Sequence, residues 1–300
     1  MEVIRAAFLG FCMGVRRAVE LAVAEAEHAG GAPSAAKGRV YTLGPLIHNP
    51  RVLSDLENLG VEILKNPSRQ LAHDAPDGST LIIRAHGITC SLEEDLRSRG
   101  YRVVDATCPR VKASQLAAKK LTEAGCRLFL AGEASHAEIE GIVSYAGAGF
   151  CEVVENAEEA QTAAAKLYER EKDARTALIG QTTISPEEYV AVGEAIKKYF
   201  PALEIVPTIC AATRDRLQSL EELLEKVDAV IIAGGRESAN TRRLLAMAHN
   251  SGKPCVIAES AKDIPMVLYA FETVGLAAGA STPDSVIEEI ERELKTAVPR

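Results

Sequence analysis

The stretch "YRVVDATCPRVKASQLAAKK", residues 101–120, places a cysteine where one structural element ends and the next begins. The valine pair before Asp105 predicts a β-strand, and Pro109 is typical of the first turn of a helix, so Cys108 lies at the junction. Comparable junctions occur at Cys12 in "GFCMGVRRAVELAVAEA" and at Cys210 in "PTICAATRDRLQSLEELL". The three cysteines are about one hundred residues apart, which predicts three copies of one structural unit.

Two further kinds of segment repeat with the same period. One kind is an apolar run followed by glycine, a polar loop and a helical pattern: "VYTLGPLIHNPRVLSDLENLG", "LFLAGEASHAEIEGIVSYAG" and "VIIAGGRESANTRRLLAMAHNSG". The other kind is an apolar run followed by small and hydroxyl residues: "IIRAHGITCSLEED", "LIGQTTISPEEY" and "GLAAGASTPDSV". Short apolar runs that alternate with helical patterns indicate an α/β fold with mostly parallel strands. We therefore predict three pseudo-repeated α/β lobes, at residues 1–100, 101–200 and 201–300.

The repeat also predicts where a ligand binds. In open α/β sheets, ligands bind beyond the carboxyl ends of the strands, which is where all three cysteines and the polar loops fall. If the three units pack around a pseudo-threefold axis, these groups face one central cavity. The alternative is that Cys12, Cys108 and Cys210 are ordinary buried thiols, because free cysteine is often buried. Three equivalent positions in a repeat favour the ligand interpretation.

The other four cysteines do not follow the repeat. Cys126, Cys151 and Cys255 lie at strand starts or within strands, where a small apolar side chain packs well, so we predict that they belong to the core. Cys90 lies in a polar loop near the proposed cavity, and we predict that it packs behind the site.

Three distant thiolates without a Cys-x-x-Cys pair indicate an iron-sulfur centre more than a zinc site. Structural zinc prefers four closed ligands at short spacing. A 4Fe-4S cluster is held by thiolates, and only three of them leave one iron open for substrate. Cys12 and Cys108 also precede helices, whose N-terminal dipole stabilises a thiolate.

Composition excludes several classes of protein. The 300 residues carry a formal net charge of −8 without a block of Lys or Arg, so we expect no nucleic-acid partner. The first residues lack a signal-peptide pattern, and no apolar run reaches the roughly 18 residues that a membrane span needs. We therefore expect a cytoplasmic chain with no membrane partner. Seven cysteines, an odd number, argue against a disulfide framework in that reducing compartment.

Eight ordered motifs across nearly the whole chain resemble one family. They are "GFCMGVRRA", "IHN", "AHG", "DATCPRV", "SHAEIEG", "GQTTIS", "SANTRRL" and "AGASTPD". In this order they are similar to the 4-hydroxy-3-methylbut-2-enyl diphosphate reductases, the LytB family. The resemblance implies a trefoil of three α/β lobes around a central 4Fe-4S cluster. It also implies reductive removal of an allylic hydroxyl with two electrons, which gives isopentenyl and dimethylallyl diphosphates, the last step of the methylerythritol phosphate route to isoprenoids. The electron donor would be of ferredoxin or flavodoxin type.

The resemblance assigns roles to individual residues. It makes Cys12, Cys108 and Cys210 the cluster ligands, the same three that the repeat selects. It implies that Glu138 is the proton donor and that Thr182 hydrogen-bonds the substrate hydroxyl and serves its proton relay. His136 would contact the diphosphate side and is counted with the catalytic residues. The remaining diphosphate-binding set implied by the resemblance is His48, His86, Ser238, Ala239, Asn240 and Ser281.

Bland interpretations of these residues stay open at the level of sequence. Glu138 could be a solvated charge at a helix start, where acidic residues are favoured. His48 and His86 could be helix caps or buried hydrogen-bonding groups. The chain also departs from the family pattern at one point. Many members have two serines before the asparagine, whereas here the second is Ala239. The hydroxyl contact is lost there, although a backbone N–H can still donate.

Two other functions are compatible with three thiolates. A hydro-lyase with an open iron would use the same ligands but need no electrons. A non-catalytic iron-sulfur sensor would give Glu138 and Thr182 no purpose, and the chain lacks a basic DNA-reading element.

Overall fold

The computed structural model of the protein describes residues 1–30, 39–47, 49–65, 78–147 and 151–296. Within these ranges the chain alternates between strands and helices. The strands are β1 (Glu2–Arg5), β2 (Val40–Leu43), β3 (Val61–Leu64), β4 (Thr80–Ile83), β5 (Arg102–Asp105), β6 (Arg127–Ala131), β7 (Cys151–Val154), β8 (Thr176–Gly180), β9 (Glu204–Ile205), β10 (Ala229–Ala233), β11 (Cys255–Ala258) and β12 (Thr273–Ala278). The helices are α1 (Met13–His28), α2 (Pro50–Asn58), α3 (Cys90–Ser98), α4 (Pro109–Glu123), α5 (Ala137–Ala146), α6 (Ala157–Arg170), α7 (Pro186–Lys197), α8 (Ala211–Leu224), α9 (Ala239–Asn250) and α10 (Asp284–Thr296).

The strands form three four-stranded sheets, and every described strand pair is parallel. The first sheet has the order β3-β2-β4-β5, the second β7-β6-β8-β9 and the third β11-β10-β12-β1. Read in this direction, the three sheets have the same order, with the strand that precedes a cysteine always at the same edge. The predicted α/β class and threefold repeat are confirmed at the level of the sheets.

The sheets do not divide the chain at the hundredth and two-hundredth residues. β5 pairs with β4, and β9 pairs with β8, so each completes the sheet of the preceding sequence segment. β1 pairs with β12, from the other end of the chain. The sheets therefore draw their strands from residues 40–105, from 127–205, and from 2–5 with 229–278. The lobe ranges 1–100, 101–200 and 201–300 stay a prediction.

Buried apolar residues cover both faces of the parallel sheets. In the second sheet, Phe129 and Leu178 pack on one face, and Leu128 and Ile179 pack on the other. Parallel strands connected by helices are covered on both sides, so their sequences read as continuous apolar runs. The runs at Leu81–Ile83, Leu128–Leu130, Ala177–Ile179 and Val230–Ile232 all lie in the two inner strands of a sheet, as the sequence predicts.

The chain forms two compact units. One consists of Met1–Arg16, Ile47–Asn58 and Ala211–Arg300 and contains the third sheet; the other consists of Arg17–Leu46 and Leu59–Cys210 and contains the first two. No helix in the described part of the chain is both long and apolar enough to cross a bilayer.

Candidate active site

The three repeated cysteines have the same backbone setting. Each follows the edge strand of a sheet and precedes a helix. Its N–H donates a hydrogen bond to a carbonyl in the loop after the neighbouring strand. The distances are 3.1 Å from Cys12 N to Ala280 O, 2.9 Å from Cys108 N to Ala85 O and 2.9 Å from Cys210 N to Thr182 O. The repeat seen in the sequence is therefore a repeat of hydrogen bonds, and it fixes each cysteine at the carboxyl end of its sheet.

Cys126 lies in the core as predicted, Cys151 and Cys255 are partly buried against core clusters, and the placement of Cys90 behind the site stays a prediction. Cys126 is 1 % exposed, inside an apolar cluster, and Cys151 packs against that cluster. Burial raises the pKa of Cys151 to about 12, so it stays a thiol at neutral pH. Cys255 packs against a core cluster of the other unit. Cys90 begins α3, and its N–H donates to Ser144 Oγ at 2.9 Å.

A second set of loops repeats in the same way. A glycine follows β2, β6 and β10, and its N–H donates to the carbonyl of the last residue of the neighbouring edge strand, β3, β7 or β11. The distances are 2.9 Å from Gly44 N to Leu64 O, 3.0 Å from Gly132 N to Val154 O and 2.9 Å from Gly234 N to Ala258 O. The helices that follow are capped by side chains of different types. Asn49 Oδ1 accepts from Val52 N at 3.2 Å, His136 Nδ1 accepts from Glu138 N at 3.2 Å, and Ser238 Oγ accepts from Thr241 N at 3.4 Å. The cap at Asn49 is not among the sequence predictions, although asparagine directly before a helical pattern is a signal for one.

His86 and His136 lie together. Their ring centroids are 5.4 Å apart with the planes nearly perpendicular, at 84°. The hydrogen bond from Glu138 N requires an unprotonated Nδ1 on His136, so the neutral ring carries its proton on Nε2 as a donor. The loop of His86 rests on α4, because a Cβ at Gly87, whose φ is +76°, would lie 2.6 Å from Nε2 of the buried Gln115.

Glu138 is a buried carboxyl, 1 % exposed, that bonds to a single partner residue in two ways. Oε1 accepts from Thr182 N at 2.7 Å, and Oε2 accepts from Thr182 Oγ1 at 2.9 Å. Burial raises the pKa of Glu138 to about 7, although the two bonds from Thr182 act in the opposite direction. A buried acid that titrates near neutral pH suits proton transfer. The interpretation of Glu138 as a solvated charge is wrong, because the side chain faces the protein interior.

These contacts connect two of the cysteines within one unit. Cys108 N bonds to Ala85, which precedes His86; His86 contacts His136; His136 caps the helix of Glu138; Glu138 binds Thr182; and Thr182 O accepts from Cys210 N. The structure therefore brings together all three predicted catalytic residues, His136, Glu138 and Thr182, by a chain of contacts from one proposed ligand to the other.

The other unit holds a second group of predicted residues. Ser238 and Ser281 are 5 and 7 % exposed, and Asn240 is the second residue of α9. The loops of these residues are joined by the bond from Gly279 N to Ala233 O, at 2.9 Å. Ala239 is the first residue of α9. His48 lies outside the described residues.

A charged network beside Cys108 was not predicted. Lys112 Nζ lies 3.1 Å from Glu93 Oε2 and from Tyr145 Oη, and 3.5 Å from Asp105 Oδ2. Burial acts to raise the pKa of Glu93, but hydrogen bonds from Tyr145, Arg97 and Lys112 lower it to about 2. Asp105 Oδ1 in turn accepts from Thr107 N at 2.9 Å. The network therefore ties α3, α4 and α5 to the loop before Cys108.

Similarity to known proteins covers the same residues. A model of the LytB protein family matches residues 3–295. The chain is 42 % identical over 295 residues to a protein of Treponema denticola named 4-hydroxy-3-methylbut-2-enyl diphosphate reductase, covering 98 % of this chain and 99 % of that one. It is 38 % identical to the protein of the same name from Aquifex aeolicus, with 98 and 96 % covered.

Two solved structures agree with the fold. The (E)-1-hydroxy-2-methyl-but-2-enyl-4-diphosphate reductase of Plasmodium falciparum superposes with a TM-score of 0.84 at 26 % identity, covering 97 % of this chain and 87 % of that one. A structure described as (E)-4-hydroxy-3-methyl-but-2-enyl diphosphate reductase, the terminal enzyme of the non-mevalonate pathway, gives a TM-score of 0.74 at 37 % identity, with 99 and 100 % covered. With a family model that spans nearly all of its length and relatives above one-third identity, the chain belongs to the LytB family.

Proposed function

We propose that the chain is a 4-hydroxy-3-methylbut-2-enyl diphosphate reductase, which converts its allylic substrate to isopentenyl and dimethylallyl diphosphates. The observation that carries the proposal is the buried pair of Glu138 and Thr182, joined by contacts to His136 on one side and Cys210 on the other. The reaction consumes two electrons and two protons. The C–O bond to the hydroxyl breaks and a C–H bond forms, one proton leaves with the hydroxyl as water, and the other goes to carbon.

Cys12, Cys108 and Cys210 would hold a 4Fe-4S cluster, which would supply the electrons and one open iron. The donor set fits this group, because thiolates are the ligands of such clusters and all three thiols are partly exposed at helix starts. No three His, Cys, Asp or Glu side chains of the described ranges are grouped closely enough to bind a single metal ion. A four-iron cluster makes a different demand, since each thiolate binds its own iron atom.

Glu138 and Thr182 would deliver a proton. When Glu138 is ionised, the hydroxyl of Thr182 donates to it at 2.9 Å. When Glu138 is protonated, its proton lies on Oε2, because Oε1 accepts from Thr182 N; Oε2 then donates to Thr182 Oγ1 and frees the threonine hydrogen to point elsewhere. One protonation event on the buried carboxyl therefore turns the threonine hydroxyl into a donor for a bound substrate. The pKa of about 7 keeps the acid form populated at neutral pH.

The diphosphate would be held by imidazole, hydroxyl, amide and backbone N–H donors at the ends of the strands. His86 and His136 present imidazole rings from two adjoining loops, and the neutral ring of His136 carries its proton on Nε2, because Nδ1 accepts from Glu138 N. Ser238 and Asn240 start α9, where backbone N–H groups favour an anion. Ser281, His48 and the backbone of Ala239 complete the proposed set. The electron donor would be a ferredoxin- or flavodoxin-type protein, in the cytoplasm.

Product analysis with and without a reductant tests this function. Protein purified without oxygen is incubated with 4-hydroxy-3-methylbut-2-enyl diphosphate, and the products are identified by mass spectrometry. We expect both isoprenoid diphosphates with dithionite and a redox dye, and unchanged substrate without them. Conversion that proceeds without a reductant would indicate a hydro-lyase, and a cluster-loaded protein that leaves the substrate unchanged under both conditions would indicate a sensor.

A further inference from the structure

Arg17 holds two carbonyl groups of the loop that leads to Cys108. Its Nη1 lies 3.2 Å from Thr107 O, and its Nη2 lies 3.1 Å from Asp105 O. The Thr107 carbonyl belongs to the same peptide unit as the N–H of Cys108, which donates to Ala85 O at 2.9 Å. Both polar groups of the peptide before Cys108 are therefore fixed by partners from other elements.

Arg216 does the same for the loop of Cys12. This arginine is 4 % exposed. Its Nη2 lies 3.1 Å from Gly10 O, two residues before Cys12, and its Nη1 lies 3.2 Å from Ala278 O, at the end of β12. Ala278 is close in sequence to Ala280, whose carbonyl accepts from Cys12 N at 3.1 Å. One guanidinium thus joins the cysteine loop to the strand end on which that loop rests.

Both contacts exploit a property of arginine that lysine lacks. The guanidinium is a rigid planar fork whose two outer nitrogens can donate to two acceptors at once, while a lysine ammonium is a single point on a flexible chain. A guanidinium also stays charged when buried. Each of these loops therefore receives a geometric clamp and a permanent positive charge that is hydrogen-bonded to a carbonyl one or two residues before the cysteine.

We propose that Arg17 and Arg216 are positioning residues that clamp the Cys108 and Cys12 loops in the geometry needed to hold the iron-sulfur cluster. The inference rests on the proposed function, which makes these cysteines ligands. It gives both arginines a structural role that is separate from catalysis and from diphosphate binding. The clamp keeps the thiolates in place when an iron is exposed to a competing ligand. The positive charge offsets the negative charge of the thiolate-bound cluster and favours its reduced state.

The chain offers a matched control beside each arginine. The side chain of Arg16 is 50 % exposed and forms an ion pair with Asp284 at 3.3 Å. Arg214 is 68 % exposed and pairs only with its neighbour Asp215 among the described contacts. We compare Arg17→Lys and Arg17→Gln with Arg16→Gln, and Arg216→Lys with Arg214→Lys. All are measured as full-length chains reconstituted with iron and sulfide without oxygen.

The first readout is the rate at which EDTA removes the cluster, followed by its visible absorbance, together with the midpoint potential. Loss of a two-pronged charged hydrogen bond predicts at least about tenfold faster loss in Arg17→Lys, Arg17→Gln and Arg216→Lys. The two control variants keep the wild-type rate. Arg17→Gln lowers the potential, and Arg17→Lys, which keeps the charge, does not. A wild-type rate in Arg17→Lys, or equal acceleration in Arg16→Gln, overturns the proposal.

The second readout does not depend on a cluster. Hydrogen exchange of the backbone amides at 105–112 is measured in the cluster-free chain. We expect exchange at least about tenfold faster in Arg17→Gln than in Arg16→Gln, since the clamp holds the peptide of Cys108 closed. Equal exchange in these two variants contradicts the clamp. A wild-type chain that takes up no cluster would contradict the proposed function, and the exchange comparison would still decide whether Arg17 clamps its loop.

Discussion

The loops of Cys108 and Cys210 occupy the same place in two neighbouring sheets, but different chemistry holds them. In both, the cysteine N–H donates to a carbonyl of the adjacent loop at 2.9 Å. Around Cys108, the other partners are charged: Arg17 donates to two loop carbonyls, and Lys112 binds Asp105. Around Cys210, the partners are hydroxyls, since Thr208 Oγ1 bonds both to Gly180 N and to Gly180 O, at 2.8 and 2.9 Å.

A tyrosine completes the neutral arrangement at Cys210. Tyr189 Oη lies 2.9 Å from Leu178 O and 2.7 Å from Val206 O, and so joins β8 to the chain that leads to Cys210. Burial raises the pKa of Tyr189 to about 12, so the hydroxyl keeps its proton. Backbone hydrogen bonds therefore define the repeat, while the side chains around Cys108 are paired charges and those around Cys210 are neutral hydroxyls next to the buried acid Glu138.

The largest expected effect is loss of the cluster when a proposed ligand is removed. Cys108→Ser replaces a soft thiolate by a poor iron ligand, so we expect no stable cluster; Cys12→Ser and Cys210→Ser should behave alike. Cys126→Ser, at a buried position of the same unit, is the control and should keep its iron. Iron content and visible absorbance measure the outcome. A full cluster in Cys108→Ser would show that Cys108 is not a ligand.

The next largest effect concerns the acid beside the Cys210 loop. Glu138→Gln keeps the size of the side chain and an acceptor for Thr182 N but cannot titrate, so we expect reductant-driven turnover to fall by about 10²-fold or more. Thr182→Val should show a milder loss of turnover. Iron content and substrate affinity should stay near wild type in the glutamine variant. Near-normal turnover with an intact cluster would remove Glu138 from the mechanism.

Burial of Glu138 also predicts a dependence of stability on pH. Its pKa rises from 4.5 to about 7 on folding, so the stabilising neutral form is fully present below about pH 4.5, and its contribution is lost as the pH rises through about 7. The loss is on the order of 3 kcal/mol for the cluster-free chain. Urea unfolding of wild type and Glu138→Gln at acidic and alkaline pH measures it. Parallel pH profiles for the two proteins would show that Glu138 has an ordinary pKa.

Substitutions in the proposed diphosphate site, outside the two cysteine loops, should have a weaker effect. Asn240→Ala removes one hydrogen bond to a charged group and should weaken binding of the diphosphate substrate by about 1 to 3 kcal/mol. Ala239→Ser, at the preceding residue, restores the hydroxyl common in the family and should be tolerated. Calorimetric titration under anaerobic conditions gives both affinities. Unchanged affinity in Asn240→Ala would place the diphosphate elsewhere.

The smallest effect tests the neutral side of the comparison. Tyr189→Phe removes the hydroxyl that joins two carbonyls and should lower the free energy of unfolding by about 1 to 2 kcal/mol. The midpoint potential should not move, because no charge is lost. Tyr199→Phe, at a partly buried tyrosine of the same unit that packs against a core cluster and against Tyr168, controls for the loss of a tyrosine hydroxyl elsewhere. A clear change of potential in Tyr189→Phe would mean that charge is not what distinguishes the two loops.

The sequence predicted the parts of this arrangement that depend on local pattern. Apolar runs marked the inner strands, and the recurrence of a cysteine before a helix selected Cys12, Cys108 and Cys210. Strand pairing and hydrogen bonds between distant segments of the chain have no comparable pattern in the sequence. The strand before Cys12 pairs with the strand at Thr273–Ala278, and Arg216 reaches Gly10 from 206 residues away, because only the folded chain brings these groups together.

The burial and hydrogen-bond partners of individual side chains could not be predicted from the sequence either. The motif around Glu138 suggested an acid, but its burial and its double bond to Thr182 depend on the packing of α5 against the loop after β8. Lys112 and Glu93 read as ordinary helix-surface charges in the sequence. In the structure they form a half-buried network, since Lys112 of α4 reaches Glu93 of α3 at 3.1 Å.

We propose that three cysteines in equivalent loops hold a four-iron cluster with one iron open to substrate. Mössbauer spectroscopy of the full-length chain, loaded with isotopically enriched iron and kept free of oxygen, tests it most directly. We expect the Mössbauer signal of one iron to differ from those of the other three, and we expect that signal alone to shift when 4-hydroxy-3-methylbut-2-enyl diphosphate is added. Four irons that are equivalent before and after substrate addition, or a chain that holds no cluster, would contradict it.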